Sequence, residues 1–296
     1  MTRGALGGTT DFLAESSDHR YGEQLRFIAR FPAYTTIEYQ DAVTWWYREG
    51  EEPAFVRFTW DGANQGLKLH GDVTMGQWVM RRDAIPLPDR TYVEALPTAH
   101  RRLFDQCGGV RPPVYAEPFE GVSWAILGQQ ITVGFAAQLK ERVAARYGTI
   151  VDQESGLFVF PSAATMSRAS IDDLRALKLS RQKAETLIRV AQAVEEGIWD
   201  WHRLYTMPSQ DAFEMLVQMK GIGPWTADYC LLRVFGHPDI LPTGDVALRR
   251  AWGRITGNPL VSEADLRQAG DVWKGCRSDF AFWLWLDNFQ RRSTQK

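Results

Sequence analysis

The chain is 296 residues long, with 45% hydrophobic and 24% charged residues, a globular balance that disfavours wholesale disorder. Its formal net charge of −2 gives no basic surplus of the kind that would by itself indicate nucleic-acid binding. The longest apolar run near the C-terminus, FAFWLWL at 280–286, is too short to span a bilayer, so no membrane partner is expected. The three cysteines are far apart and fit neither a disulfide framework nor a Cys-x-x-Cys site, which favours a reducing, cytoplasmic compartment.

The N-terminal part of the chain carries the patterns of a β-rich domain. Residues 1–20 lack an apolar h-region and predict a loose, flexible polar leader. From Leu25 to about Gly71, β-branched and aromatic residues alternate with short turn clusters, which predicts hairpin-connected strands. Residues 89–109 then favour a helix, and the proline-rich stretch 111–120 marks a boundary. A β-rich domain is therefore predicted over residues 21–112.

The rest of the chain, residues 113–296, is predicted to be a helical domain. Apolar residues at helical spacing across 120–148 predict one long helix that stops at Gly148. A series of shorter helices follows, one of them with Ser180 as its N-cap. The expected fold class is therefore α+β, a small antiparallel N-terminal domain followed by an all-α core. Four tryptophans are assigned to the hydrophobic core: Trp45, Trp46, Trp124 and Trp283.

Residues 211–235 read as a helix, a tight turn with the sequence GIG, and a second helix that begins PWTADYCLL. Gly221 and Gly223 allow a sharp turn and bring main-chain N–H groups to the surface with no Cβ in the way. Together with the adjoining helix N-terminus, these N–H groups form an anion site suited to a phosphate. Pro224 suits the first turn of that helix, where its missing N–H costs nothing. An ordinary glycine-capped helical corner explains the turn alone equally well.

Asp245 follows this hairpin at the head of the segment DVALRRAW. Its residue type and position predict an N-cap for the next helix. A carboxylate kept ionised by helix-start N–H groups can also oppose positive charge that develops on a deoxyribose. Asp245 is therefore a candidate for catalysis of N-glycosidic bond cleavage through an oxocarbenium-like transition state.

Five segments occur in an order that resembles the helix-hairpin-helix DNA glycosylase superfamily, and within it the bacterial 3-methyladenine DNA glycosylase II family. The resemblance extends from about Tyr115 to Trp285. The N-terminal β-rich segment is similar in position to the small TATA-binding-protein-like domain of that family. The matching segments are GQQITVGFAAQL, LSRQKAETLI, MKGIGPWTADYCLLRVFG, LPTGDVAL and WKGCRSDFAFWLW.

The resemblance implies roles for individual residues. Asp245 matches the catalytic aspartate, which stabilises the sugar cation and orients or activates water. Trp225, Tyr229 and Trp285 match aromatic residues of the base pocket. Because Trp225 occupies the position where bifunctional members carry a Schiff-base lysine, a monofunctional enzyme without lyase activity is expected. No cofactor is required for this catalysis, and the lack of a four-cysteine run removes the iron–sulfur branch.

The resemblance also implies contacts with the nucleic acid. The residue that wedges into the vacated base stack falls on Gln130, an unusual residue type there, with Gln129 and Ile131 adjacent. The carbonyls of Val217, Met219 and Gly221 are expected to hold a monovalent cation that bridges to phosphate. Further contacts are expected from the hairpin and from cationic side chains: Gly221, Gly223, Thr226, Lys183, Lys220, Arg249 and Arg250.

The leading hypothesis is a monofunctional DNA glycosylase that flips out and excises alkylated purines of the 3-methyladenine and 7-methylguanine class. The expected partner is double-stranded DNA with damaged bases, bound by a monomer in the cytoplasm at the nucleoid. Two alternatives stay open: a glycosylase of the same fold for oxidised or deaminated bases, and a non-catalytic helix-hairpin-helix DNA-binding protein. A β-rich protein-interaction domain with a helical extension would leave the spacing between the hairpin and Asp245 unexplained.

Overall fold

A computed structural model describes residues 10–14, 20–39, 42–80 and 86–294. The strands are β1 (Thr10–Ala14), β2 (Thr35–Tyr39), β3 (Ala42–Glu49), β4 (Glu52–Asp61), β5 (Gly66–Gly71), β6 (Thr149–Asp152) and β7 (Leu157–Val159). The first helices are α1 (Tyr21–Arg30), α2 (Val73–Val79), α3 (Arg90–Ala95), α4 (Thr98–Cys107), α5 (Pro118–Gly128), α6 (Val133–Tyr147), α7 (Ala163–Ser167) and α8 (Ile171–Ala176). The remaining ones are α9 (Arg181–Glu195), α10 (Trp201–Thr206), α11 (Ser209–Val217), α12 (Pro224–Arg233), α13 (Val246–Thr256), α14 (Glu263–Gly270), the 3₁₀ helix Asp271–Trp273 and α15 (Arg277–Thr294).

The N-terminal part contains an antiparallel five-stranded sheet with the strand order β1-β5-β4-β3-β2. Alternate residues of its central strands point into the core, because side chains on a strand alternate between the two faces. In β3, for example, Val43, Trp45 and Tyr47 are buried. The expected antiparallel N-terminal sheet is therefore present, whereas the remainder is mainly helical and not all-α, because β6 and β7 form a two-stranded sheet within it.

Two expectations for the first 30 residues are wrong. Residues 10–14 fall in the segment expected to be a loose leader, yet they form β1, which pairs with β5 from Thr10↔His70 to Ala14↔Gly66. Residues 1–9 and 15–19 of that segment lie outside the described residues. The β-like pattern taken to begin at Leu25 instead starts in helix α1, where Tyr21, Leu25 and Ile28 lie on one buried face.

The single long helix expected over 120–148 is two helices, and this break shapes the site. Helix α5 ends at Gly128 and α6 begins at Val133, with Gln130 between them in the left-handed region at φ +57°. The helix expected over 89–109 is likewise divided, into α3 and α4, because Pro97 cannot continue the first helix. The hairpin of β6 and β7 was not expected from the sequence.

The N-terminal part packs directly on the helical part. The ring of Phe27 on α1 lies edge-on to Phe282 and Phe289 of α15, with ring centroids 5.0 and 5.2 Å apart. Of the tryptophans assigned to the core, Trp45 and Trp283 are buried as expected, whereas Trp46 is half-buried against Phe55. None of the described helices is long and apolar enough to cross a membrane.

His100 on α4 contacts the C-terminal helices, and its burial leads us to expect that the stability of the protein decreases at acidic pH. Its Nδ1 accepts a hydrogen bond of 2.9 Å from Trp273 Nε1, and its ring lies 4.7 Å from that of Trp252. Burial lowers the pKa of His100 from 6.5 to about 4. Below pH 6.5 the unfolded imidazole binds a proton that the native one does not, so stability falls as the pH approaches 4.

We expect the free energy of unfolding to lose about 3 kcal/mol from this group between pH 6.5 and 4. The variant His100→Asn retains an acceptor near Nδ1 but does not titrate. Urea unfolding at both pH values should therefore show a smaller pH effect in the variant than in the wild type. An equal pH effect in the two proteins would contradict this role of His100.

Candidate active site

The hairpin turn connects α11 to α12 and requires glycine at only one of its two glycine positions. Gly221 has φ +101°, and a Cβ there would lie 2.0 Å from Thr186 Oγ1 on α9. Gly223, by contrast, has an ordinary φ of −91°, and a Cβ there would meet no atom within 4 Å. The close packing of the turn on α9 thus accounts for Gly221, and nothing in the described part of the chain accounts for Gly223.

Some main-chain groups of the turn are hydrogen-bonded within the protein, and others have no partner in the described part of the chain. Lys220 O accepts a hydrogen bond from Arg189 Nη1 at 2.7 Å, and Gly221 O accepts one from Gln129 Nε2 at 2.9 Å. Within the described part of the chain, no acceptor meets the N–H groups of Gly223, Trp225 and Thr226. These N–H groups stand at the start of α12, which has no side-chain cap, and so form a site suited to an anion.

Asp245 is the N-cap of α13, as expected, and its carboxylate is fully engaged in directional contacts. Oδ1 accepts hydrogen bonds from Ala247 N at 2.7 Å and Leu248 N at 2.9 Å. Oδ2 accepts one from the indole Nε1 of Trp225 at 2.7 Å. The side chain is only 8% exposed, yet it lines a cavity. The two amides and the indole fix the direction of a negative charge at the cavity wall.

That cavity has a volume of about 380 Å³ and a largely aromatic wall. Trp225, Tyr229, Trp285 and Ile131, all expected near the site, line it together with Asp245. The ring centroid of Tyr229 lies 5.6 Å from that of Trp225 and 5.8 Å from that of Trp285. The four expected side chains and the carboxylate therefore form one site, large enough for a planar heterocycle.

Sequence reasoning missed several wall residues. Phe27 and Phe31 of α1 line the cavity, although they belong to the N-terminal part of the chain. Trp124 was assigned to the core and is 5% exposed, but it too lines the cavity. Its position on α5, about two helical turns before Gln130, could have indicated that Trp124 lies near the site. For Phe27 the sequence offered only its aromatic side chain, and the pattern of the helix that carries it was interpreted as a strand.

The turn between α5 and α6 is held against the hairpin by buried polar contacts. Gln129 Nε2 bridges Gly221 O and Thr226 Oγ1, each at 2.9 Å. Lys183 was expected on phosphate, but its Nζ instead donates to Leu127 O and Gln129 O at 2.6 and 2.9 Å, and its side chain is buried. Burial lowers the pKa of Lys183. Both Gln129 and Lys183 therefore position the turn, whose tip at Gln130 is exposed.

The other expected contact residues differ in exposure. Lys220 and Arg250 are exposed near the hairpin and α13, and Arg249 is half-buried. Thr226 is only 2% exposed as a whole residue, and its Oγ1 accepts a hydrogen bond from Gln129 Nε2, so its side chain serves the packing of the turn. Among the described residues, no group of three or more His, Cys, Asp and Glu side chains is arranged to hold a metal ion.

A glycine-turn helical hairpin whose second helix shares an aromatic cavity with a buried aspartate defines a helix-hairpin-helix protein with an enzyme-like site. The chain matches the family described as HhH-GPD superfamily base excision DNA repair protein over residues 123–274, which include the hairpin and Asp245. It belongs to this family.

Similar proteins agree with this membership. The chain is 30% identical to the DNA-3-methyladenine glycosylase of Bacillus subtilis (strain 168) over 179 residues, 60% of this chain and 59% of that protein. It is 32% identical to DNA-3-methyladenine glycosylase 2 of Escherichia coli (strain K12), again over 179 residues and 60% of each chain. The match therefore spans about 60% of the length of these curated relatives.

The solved structure of a 3-methyladenine DNA-glycosylase from Archaeoglobus fulgidus shares the fold over nearly the whole chain. The TM-score is 0.77 at 22% sequence identity, and the alignment covers 93% of this chain and 97% of that one. Similarity of fold thus extends through the N-terminal part, beyond the residues matched by the family.

Proposed function

We propose that the protein is a monofunctional DNA glycosylase that excises alkylated purines of the 3-methyladenine and 7-methylguanine class in base excision repair. The observation that carries this proposal is the Asp245 carboxylate, held by three hydrogen bonds at the wall of an aromatic cavity. The names of the Bacillus subtilis and Escherichia coli relatives support the same substrate class. A non-catalytic DNA-binding protein would need this carboxylate only as the N-cap of α13, and that role does not require it at the wall of an aromatic cavity.

The proposed chemistry divides the site into a sugar side and a base side. The damaged nucleotide leaves the duplex, and its base enters the cavity against the rings of Trp225, Tyr229 and Trp285. Alkylation at N3 or N7 gives the purine a positive charge, which aromatic faces attract by about 1–2 kcal/mol per ring. The same charge makes the base a better leaving group, so modest selectivity in binding suffices.

Asp245 acts on the sugar. The C1′–N bond breaks with its electron pair leaving on the base, and the deoxyribose becomes an oxocarbenium cation opposite the carboxylate. Water adds to C1′ and gives up a proton to the carboxylate, leaving an abasic site and a free base. Because Trp225 stands where a Schiff-base lysine would be needed, we propose that no covalent enzyme–sugar intermediate forms.

Duplex DNA is the proposed partner, and we propose that it contacts the protein at the start of α12 and at the turn that contains Gln130. The free N–H groups at the start of α12 suit a backbone phosphate, with Lys220, Arg249 and Arg250 as further contacts. Gln130 is the proposed wedge, because it is exposed at the tip of its turn and held in the left-handed region. A left-handed non-glycine residue is uncommon and concentrates at functional sites.

We further propose a monovalent cation on the hairpin carbonyls. Each carbonyl oxygen has two lone pairs, so Met219 O, bonded to Ile222 N, and Gly221 O, bonded to Gln129, each retain one for a cation. Val217 O completes the proposed set. When bound, the cation would supply positive charge between these carbonyls and a phosphate.

The proposal also covers the two domains of the protein, its oligomeric state and its location in the cell. The N-terminal order of strand, helix, four strands and helix supports a TATA-binding-protein-like domain over residues 21–112 together with β1. Residues 113–296 are the proposed glycosylase domain. We propose that the protein acts as a monomer in the cytoplasm, at the nucleoid.

Chromatography of the bases released from methylated duplex DNA tests the proposed function. We expect 3-methyladenine or 7-methylguanine to appear in the soluble fraction in proportion to enzyme and time. Duplexes with single hypoxanthine or 8-oxoguanine residues, treated in parallel, test the other lesion classes. Release of these bases alone, with none from methylated DNA, would overturn the assignment to alkylated purines.

The contact between Trp225 and Asp245 yields a separate prediction. The variant Trp225→Phe keeps an aromatic ring in the cavity but removes the indole donor to Oδ2. We expect the single-turnover rate of 7-methylguanine release to fall about tenfold, since a hydrogen bond to a charged group contributes roughly 1.5 kcal/mol or more. The protein should still fold, with a melting temperature lowered by only a few degrees. An unchanged rate would show that the indole donor does not contribute to catalysis.

A further inference from the structure

The cavity contains a second charged group, the guanidinium of Arg233, besides the Asp245 carboxylate. Arg233 is the last residue of α12, is 1% exposed and lines the cavity wall. None of the ion pairs formed within the described residues includes it; its polar partners are Pro113 O, at 3.1 Å from Nε, and the hydroxyl of Tyr34. A buried arginine without a carboxylate partner is unusual, because burying an uncompensated charge is costly.

Aromatic rings surround this cation. Its Cζ lies 5.3 Å from the ring centroid of Phe282, 5.4 Å from Phe27, 5.8 Å from Phe31 and 6.0 Å from Tyr229. Burial alone would lower the pKa of Arg233, but the neighbouring tyrosine oxygens raise it above its ordinary value. An arginine side chain keeps its proton at neutral pH, and this guanidinium is stabilised by ring faces and by its position at a helix C-terminus.

Arg233 and Asp245 lie at opposite ends of one series of contacts. Trp225, Tyr229 and Arg233 recur every four residues and so share one face of α12, spanning about 12 Å of helix rise. Asp245 hydrogen-bonds the indole of Trp225, the ring of Trp225 packs on Tyr229, and Tyr229 packs on the guanidinium. The Asp245 carboxylate thus lies beside the first side chain of this face, Trp225, and the guanidinium of Arg233 lies beyond the middle one, Tyr229.

We propose that Arg233 is a specificity-determining and rate-enhancing residue, a fixed cation on the base side of the pocket opposite the Asp245 carboxylate on the sugar side. This inference rests on the proposed function. When the C1′–N bond breaks, its electron pair moves from sugar to base, so positive charge shifts toward Asp245 and away from Arg233. The two charges stabilise this shift. The same cation repels a positively charged base before the bond breaks. Arg233 therefore weakens the binding of that base and increases the rate at which the C1′–N bond breaks.

The experiment separates binding from rate with the full chain. Single-turnover excision is measured on a duplex with one 7-methylguanine. Binding is measured on two duplexes with 2′-fluoroarabino sugars, which resist cleavage: one carries 7-methylguanine, a cation, and the other carries its uncharged isostere 7-deaza-7-methylguanine. Arg233→Gln removes the charge, and Arg233→Lys is the matched control that keeps it.

For Arg233→Gln we expect excision to slow about tenfold, while the Kd for the cationic duplex, relative to the uncharged one, falls about tenfold. Arg233→Lys, which keeps the charge but not both hydrogen bonds, should recover most of the rate that Arg233→Gln loses and keep the Kd ratio of the wild type. A purely structural role would weaken binding of both duplexes together with the rate, and this result, or a Kd ratio unchanged in Arg233→Gln, would overturn the proposal.

The wild type provides a test that does not depend on whether the variants fold. With the arginine present, the cationic duplex should bind no more tightly than its uncharged isostere, despite the aromatic wall. Tighter binding of the cation by tenfold or more would overturn the proposal. Failure of the proposed function is distinguishable, since the wild type would then release no 7-methylguanine at all.

Discussion

Replacement of Asp245 by asparagine should reduce base release on the order of 10³-fold or more while the protein still folds and binds duplex DNA. The amide oxygen of the introduced side chain can still accept from Ala247 N and Leu248 N, so the N-cap of α13 is retained. Its NH₂ group, however, would face the indole N–H of Trp225, where Oδ2 now accepts a hydrogen bond. The negative charge opposite the sugar is lost, and among the described residues no other carboxylate lines the cavity.

The measurement is single-turnover release of 7-methylguanine, combined with thermal melting and duplex binding of the same preparation. The variant Asp245→Ala is the matched comparison, because it removes both the charge and the cap and should also cost about 1 kcal/mol of stability. Near-normal excision by Asp245→Asn would refute the assigned role of the carboxylate.

Replacement of each hairpin glycine by alanine should have a different effect: the change at Gly221 should reduce stability, and the change at Gly223 should reduce the affinity for duplex DNA. For Gly221→Ala we expect a loss of at least about 2 kcal/mol in the free energy of unfolding, because φ +101° disfavours a Cβ. That Cβ would also lie 2.0 Å from Thr186 Oγ1, so the turn or α9 must move. Since Gly221 O anchors Gln129, the turn at Gln130 should lose its support as well.

Gly223→Ala should leave stability within about 1 kcal/mol of the wild type, because its backbone is ordinary and the space around it is open. If a phosphate approaches the N–H groups there, the added Cβ should weaken duplex binding about tenfold and flatten its dependence on salt. Gly62→Ala, at an exposed turn between β4 and β5, is the control. Unchanged affinity in Gly223→Ala, or wild-type binding that is flat across salt, would exclude phosphate docking at this turn.

The hairpin and Asp245 could be predicted from sequence because local chemistry specifies them. Glycines, a proline at the first helical position and an acidic N-cap each have a direct backbone reason, and the structure has the turn, Pro224 and Asp245 in these positions. Trp225 and Tyr229 were expected in the pocket because of the family resemblance, and their spacing of four residues places both on one face of α12. The antiparallel sheet and the helices that follow were likewise visible, as β-branched and aromatic runs before Gly71 and as apolar residues at helical spacing after residue 120.

What could not be predicted depends on contacts between distant segments. Phe27 reaches the cavity only because α1 packs on α15, which no local pattern indicates. A lysine on a helix normally faces solvent, so the burial of Lys183 against the carbonyls of Leu127 and Gln129 needed the three-dimensional arrangement. The helix break at Gln130 was hidden because glutamine is a good helix former with no sign of a left-handed backbone.

The central claim is that Asp245 promotes hydrolytic release of an alkylated purine with no covalent enzyme–sugar intermediate. The most direct test incubates the wild type with a duplex containing one 7-methylguanine, in the presence and absence of sodium borohydride, and follows base, strand and protein together. The account predicts stoichiometric free 7-methylguanine, an intact strand with an abasic site, and no DNA trapped on the protein. A borohydride-trapped protein–DNA adduct accompanying base release, or no base release at all, would contradict it.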